Sequence, residues 1–162
     1  ATFSSGLRNS NLEVVTTTTA KDLTGITTDK LVLFTGTQAG NITLPQATAN
    51  NVGLVITVAF GANAATTAFK LGFANSGSTV MIGQTTLVSN DGSEAVDGFV
   101  ITASAKSFQI DADDANAAGG AKGSIYKFTY TAANQVFCEA RGAITTGTPA
   151  LAAGHSTTTG TA

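Results

Sequence analysis

Chemically reactive side chains are scarce in this sequence. It has no tryptophan and, among 162 residues, a single histidine and a single cysteine. Cys138 alone cannot form an intrachain disulfide. His155 alone cannot build the usual zinc site, and no Gly-x-Ser-x-Gly nucleophile elbow accompanies it. These absences argue against metal-dependent and nucleophilic catalysis, so we expect no enzyme activity, no catalytic residues and no metal or cofactor.

Charge is also scarce. Charged residues make up 11% of the chain, against about 25% in an average globular protein. The net charge is −2 and the basic residues are scattered, which argues against nucleic acid as a partner. The longest apolar run, residues 54–60, is far too short to cross a bilayer, so we expect no membrane partner. A chain with such weak self-repulsion suits a subunit that packs against its own copies or a larger lattice.

Threonine, alanine and glycine are the abundant residues, and threonine favours strands because its branched Cβ packs well on a pleated surface. Apolar and polar residues alternate in segments such as 69–73 and 125–130, as in half-buried strands. The pattern predicts about ten short strands, one of which should stop at Gly83. We therefore expect an all-β fold, an antiparallel β-sandwich that is jelly-roll-like or a partly closed barrel. Two alanine-rich windows, 46–52 and 112–121, lack a helical apolar stripe.

Composition divides the chain into three parts. Residues 1–12 are small and polar and predict an N-terminal arm, with Phe3, Leu7 and Leu12 as its apolar anchors. Residues 13–142 form a single domain, and 143–162 are a tail rich in glycine, threonine and alanine. The N-terminus carries no basic segment followed by an apolar run, which fits synthesis in the cytoplasm, although a mature secreted protein would begin in the same way.

Three motifs resemble functional sites only superficially. The acidic cluster at 111–114 lacks the glycine and the glutamate that a calcium loop needs at its sixth and twelfth positions. Residues 119–124 carry Lys-Gly-Ser, whereas a phosphate loop needs Gly-Lys-Ser or Gly-Lys-Thr. The carboxylates Glu13, Glu94 and Glu139 offer no evident pair for glycoside hydrolysis.

Cys138 alternates with Val136 on one strand face, which indicates a core residue.

One segment resembles a known group of proteins. Residues 41–58 have the sequence NITLPQATANNVGLVITV, in which a strand ending in Thr-Leu-Pro precedes a small polar loop, a glycine and an apolar strand. This order is similar to one found in β domains of bacteriophage virion proteins. Residues 123–128 and 135–139 resemble the closing hairpin of the same group, with Phe137 where a tryptophan often stands.

The resemblance, which covers about residues 30–142, implies an all-β virion component without catalytic residues. Among virion proteins, a capsid decoration (cement) protein is the expected function, because the chain is short and has no long repetitive shaft. Such a protein acts as a closed oligomer, expected here to be a homotrimer, that binds the major capsid protein on the capsid surface. Deleting residues 1–12 is then expected to abolish capsid binding without unfolding the domain.

Three other functions remain open at this stage. A fibre or adhesin domain would expose an aromatic or polar cluster and bind bacterial surface glycans. A surface-layer or pilus-like subunit would exchange strands between protomers. A small hydrolase with a sandwich fold would need a constellation that one histidine and a few carboxylates do not supply.

Overall fold

The computed structural model describes residues 11–64, 69–74, 76–89, 96–110 and 119–144. These residues form eleven strands and one short 3₁₀ helix, Ala49–Asn51. No helix in these ranges is long and apolar enough to span a membrane. The strands are β1 (Leu12–Val15), β2 (Lys21–Asp22), β3 (Lys30–Phe34), β4 (Ile42–Leu44), β5 (Val55–Phe60), β6 (Phe69–Phe73), β7 (Val80–Ser89), β8 (Val96–Ala105), β9 (Ser107–Ile110), β10 (Ile125–Ala132) and β11 (Gln135–Ile144).

The strands belong to two sheets. The large sheet has the order β1-β3-β5-β10-β11-β7-β8, and the small sheet has the order β2-β4-β6-β9. The predicted all-β class is confirmed. The expectation of an antiparallel fold is met only in part, because five of the nine pairings among the described strands are parallel. A regular jelly roll, which is antiparallel, therefore does not describe this order.

The parallel pairs arise from the path of the chain through its first six strands. Successive strands alternate between the two sheets, and each pairs in parallel with the strand two positions earlier. In the large sheet the register runs from Leu12 to Leu31 to Thr57, and in the small sheet from Lys21 to Ile42 to Leu71. Strands β1–β6 thus form a short two-sided parallel coil, the path of a parallel β-helix.

The two sheets face each other across an aromatic core. Rings from the large sheet lie against rings from the small sheet, with centroid distances of 5.2 Å for Phe108–Tyr126, 6.3 Å for Phe60–Phe69 and 6.4 Å for Phe73–Phe128. These side chains are 3% exposed or less. Burying each large apolar side chain stabilises the fold by about 1.5–3 kcal/mol, so this layer is the main attachment of one sheet to the other.

Strand β7 does not end where the sequence analysis predicted. Gly83 was expected to stop it, but the strand continues through Gly83 to Ser89. Gly83 has φ +133°, and the pairing of β7 with β8 shifts register between Met81 and Gly83. A glycine at positive φ can form a β-bulge within a strand, so this residue bends β7 without ending it.

The predicted domain boundaries fall close to the ends of the described chain. Leu12, assigned to the arm, is the first residue of β1, and β11 runs to Ile144. Residues 1–10 and 145–162, which make up most of the predicted arm and tail, lie outside the described residues. So does most of the window 112–121, while the window 46–52 contains the 3₁₀ helix.

Candidate interaction surface

The large sheet has one face turned toward the small sheet and one turned away, which we call the outer face. Side chains alternate between the two faces along each strand. In β3, Val32 and Phe34 are fully buried in the core while Leu31 is 37% exposed. In β10, Tyr126 and Phe128 are buried while Ile125 is 46% exposed. The outer face therefore consists of the alternate residues of seven adjacent strands.

Two continuous rows of residues cross the outer face through all seven strands. They are defined by the strand registers and lie two residues apart on every strand. The first row is Leu12, Leu31, Thr57, Lys127, Glu139, Gln84 and Val100. The second row is Val14, Leu33, Ala59, Ile125, Arg141, Thr86 and Gly98.

The β1 end of both rows is apolar. Leu12 is 43% exposed and Val14 54% exposed, and with Leu31 and Leu33 they form what we call the apolar patch. Of the eight large hydrophobic side chains that are exposed in the described chain, seven lie on the outer face; Val52 is the exception. A contiguous exposed apolar patch on a folded protein marks a surface that contacts another molecule.

The middle of the outer face is concave and carries charged side chains beside apolar surface. A groove of about 390 Å³, the central groove, is lined by Gln84, Thr86, Ile125, Lys127, Glu139, Ala140 and Arg141. Lys127 Nζ lies 3.4 Å from Glu139 Oε2, and both side chains are about half exposed or more, so water screens the pair and it contributes little. In the described part of the chain, the Arg141 guanidinium takes part in neither ion pair. The groove therefore offers charged groups that a partner could engage.

A different ion pair closes the β1–β2 end of the core. Glu13 and Lys21 occupy inward-facing positions of β1 and β2, in register with the buried Val32 and Ile42. Lys21 Nζ lies 2.7 Å from Glu13 Oε1, and the side chains are 30% and 32% exposed. The pair bridges the two sheets where the apolar core would otherwise meet water. Glu13, a candidate carboxylate in the sequence, thus serves the fold.

Cys138, which could have been a nucleophile, is part of the core, as are Tyr126 and Tyr130. Cys138 is fully buried, and burial raises the pKa of its thiol well above its ordinary value of 9.0, so it stays protonated and unreactive. The Tyr126 hydroxyl donates a hydrogen bond to the Gly119 carbonyl at 3.0 Å, and the Tyr130 hydroxyl donates one to the Pro45 carbonyl at 2.9 Å. Burial raises the pKa of both hydroxyls.

Of the predicted interface residues, only Leu12 falls within the described chain, where it lies in the apolar patch; Phe3 and Leu7 lie outside it. The acidic cluster at 111–114, Glu94 and His155 also lie outside. Within the described ranges, no three histidine, cysteine, aspartate or glutamate side chains converge on a possible metal position. Among the described residues, the candidate site is therefore the group that lies on the outer face.

No family model, curated protein or solved structure matches this chain.

The outer face was not predicted from the sequence, although a signal for it was present. Residues 31–34, Leu-Val-Leu-Phe, are apolar at successive positions, and residues 54–60 are nearly so. A strand with one face in water alternates apolar with polar residues, whereas a strand covered on both faces does not. Apolar residues on both faces of β3 and β5 therefore indicate a second covered surface.

Proposed function

We propose that this chain is a non-enzymatic structural protein of a bacteriophage virion, built as a two-sheet sandwich, that decorates the capsid surface. The observation that carries the proposal is the concentration of exposed hydrophobic side chains on the outer face. A broad sheet face with an apolar patch and few charges suits contact with other protein surfaces, as in a lattice of subunits. The resemblance of residues 41–58 to virion β domains supports the choice of the virion.

A decoration protein would stabilise the capsid by adding contact area to the assembled lattice. A protein that binds the assembled capsid and not the free subunits stabilises the assembly by mass action. The N-terminal arm would make part of the contact with the major capsid protein through Phe3 and Leu7. The chain enters β1 at Leu12, inside the apolar patch, so the arm would extend the apolar contact surface of the outer face.

The test is binding to empty expanded capsids, measured by co-sedimentation at increasing protein concentration. The wild-type chain should saturate at a fixed copy number per capsid. Because Leu12 belongs to β1, the truncation must remove residues 1–10 rather than 1–12. It should abolish binding while leaving the far-ultraviolet circular dichroism spectrum unchanged.

A matched pair of variants separates the apolar anchors from the presence of the arm. Phe3→Ala with Leu7→Ala should weaken binding at least tenfold, and Thr2→Ala with Ser5→Ala in the same arm should leave it unchanged. Equal occupancy by wild type and the truncated protein would contradict the role of the arm. Absence of saturable binding by the wild type would contradict decoration itself.

A second candidate function, a fibre or adhesin domain, is supported by the parallel coil of β1–β6. Coils of this kind stack along one axis and present extended surfaces to a ligand. This function predicts binding of the wild-type chain to bacterial surface polysaccharide and no saturable binding to capsids. A glycan-binding screen of the same preparation distinguishes the two functions.

A further inference from the structure

We infer that the outer face binds the outer face of a second copy of this chain, across a twofold axis that runs between the two rows. The inference rests on the pattern of residues along the rows and does not depend on capsid binding. Twofold contacts bring one surface patch against the same patch of the partner, so such a patch must be complementary to itself. The two rows meet this requirement.

The symmetry operation determines which residues face each other. Consider an axis that lies in the interface, perpendicular to the strands and midway between the rows. It preserves the order of the seven strands and exchanges the rows, so each residue of the first row faces its second-row neighbour on the same strand of the partner. Sheets that pack face to face keep their strand directions within about 30°, so this correspondence holds best near the centre of the face.

Two charges near the centre, Glu139 and Arg141, are complementary under this operation, while Lys127 faces the partner's Ile125 and keeps its contact with Glu139. Glu139 and Arg141 are two residues apart on β11, the fifth of the seven strands. The axis places Glu139 opposite the partner's Arg141 and Arg141 opposite the partner's Glu139. Glu139 is held only loosely by Lys127, at 3.4 Å on an exposed surface, so it can also engage the partner's guanidinium. Charge pairs that become desolvated in an interface contribute strongly to specificity.

The apolar residues are complementary as well. At the β1 end, Leu12 faces the partner's Val14 and Leu31 faces the partner's Leu33, so the apolar patch covers its own copy. At the β8 end, Val100 faces the partner's Gly98. Val100 is 72% exposed, the most exposed large hydrophobic side chain of the described chain. A Cβ on Gly98 would find its nearest neighbour at 3.5 Å, so packing within the chain leaves room at this position.

The size of the face corresponds to a weak, reversible interface. With about 4.8 Å between strands and about 3.3 Å per residue, seven strands and five residues of depth span roughly 30 by 15 Å. The accessible surface of the projecting side chains is larger than this flat area. The projected area of about 450 Å² per partner is below the roughly 800 Å² of a standard interface and falls in the range of weak, reversible complexes, so dissociation in the micromolar range is expected.

The test is a charge exchange measured by light scattering coupled to size-exclusion chromatography. The full-length wild type should be a dimer at tens of micromolar. Glu139→Arg places like charges opposite each other across the axis, as does Arg141→Glu, and each variant alone should be a monomer at the same concentration. The double variant restores opposite charges and should be a dimer again. Lys70→Glu, a charge reversal on the small sheet, should remain a dimer.

Mixing the two single variants gives the sharpest result. In a heterodimer of Glu139→Arg with Arg141→Glu, both cross-axis pairs are again of opposite charge, so two monomeric proteins should combine into a dimer. Native mass spectrometry identifies the mixed species. Circular dichroism melts of each variant show that loss of the dimer is not loss of the fold.

Three outcomes would overturn the inference: a monomeric wild type at these concentrations, single variants that remain dimers, or a failure of the mixture to associate. A stable trimer would also overturn it, since a threefold contact joins two different surfaces. The resemblance to virion proteins implies that trimer, so the experiment decides between the two assemblies. Capsid binding is a separate measurement, because a dimer that covers the outer face would still have the arm residues Phe3 and Leu7 to contact the capsid.

Discussion

The packing between the sheets predicts a large loss of stability when Phe128 is truncated. Phe128 is fully buried, and its ring centroid lies 6.4 Å from that of Phe73 and 6.3 Å from that of Phe108. Replacement of a buried phenylalanine by alanine removes transfer free energy and leaves a cavity, together costing about 3–5 kcal/mol. Domains have unfolding free energies of about 5–15 kcal/mol, so Phe128→Ala should lose about a fifth of the total or more.

A second substitution separates burial from ring geometry. Phe128→Leu keeps an apolar side chain in the core but removes two aromatic pairs, each worth about 0.5–1.5 kcal/mol beyond area burial. It should therefore cost about 1–3 kcal/mol. Thr129→Ala, on the outer face of the same strand, should change stability by less than about 0.5 kcal/mol.

Urea denaturation followed by far-ultraviolet circular dichroism, at one fixed protein concentration, measures all three variants. The midpoint should shift while the slope stays constant, because the slope reports the surface exposed on unfolding. If Phe128→Ala cost less than about 1 kcal/mol, or no more than Phe128→Leu, the small sheet would not pack on the large sheet at this residue. The described arrangement of the core would then be refuted.

Three further predictions concern the buried hydroxyl and thiol groups and the bulge at Gly83. Burial raises the pKa of Tyr126, Tyr130 and Cys138 above ordinary values of 10.0 and 9.0, so these groups stabilise the fold fully below about pH 9. Stability should fall as pH rises further and the unfolded chain ionises, which melting curves from pH 7 to 11 will show. Tyr130→Phe leaves the Pro45 carbonyl without its donor and should cost about 1–3 kcal/mol by urea denaturation. Gly83→Ala places a Cβ against the Cys138 carbonyl at a positive φ and should cost at least about 2 kcal/mol by the same assay.

Much of the strand content was predictable because period-two alternation directly reports which side chains share a face. The patterns at 69–73 and 125–130 correspond to β6 and the greater part of β10. The hairpin that the resemblance implies at 123–139 is present, with β10 and β11 paired antiparallel. Alternation places residues on faces without reference to the rest of the chain, so local sequence is enough for this level of structure.

Strand direction and sheet order were not predictable in the same way. A strand has the same alternation whether its neighbour runs parallel or antiparallel, so the coil of β1–β6 left no periodic signal of its direction. Its successive turns also differ in length. The register step from Leu12 to Leu31 is shorter than the step from Leu31 to Thr57, so the sequence shows no fixed repeat. Gly83 was misassigned because glycine both ends strands and forms bulges within them.

The candidate surface depends on this sheet order and could not be assembled from the sequence alone. Glu139 and Arg141 are neighbours on one strand, but Gln84 and Val100 join their row only because β7 and β8 pair beside β11. The apolar patch likewise exists because β1 lies parallel to β3. Residue types at single positions indicate exposure or burial, whereas the continuity of a row is a property of the pairing.

Of the two ion pairs, one bridges the sheets and the other lies on the outer face, and the difference bears on how copies could associate. At the open end of the coil, Glu13 and Lys21 satisfy each other at 2.7 Å between the sheets. Stacking another subunit's strands on β1 and β2 would bury this pair, and desolvating charges costs several kcal/mol per ion. On the outer face, Glu139 has only a loose contact at 3.4 Å with Lys127, and Arg141 is exposed beside it. In the proposed dimer the partner would bring opposite charges to Glu139 and Arg141 and so offset the cost of desolvating them, whereas stacking on the coil would bury a pair that is already satisfied.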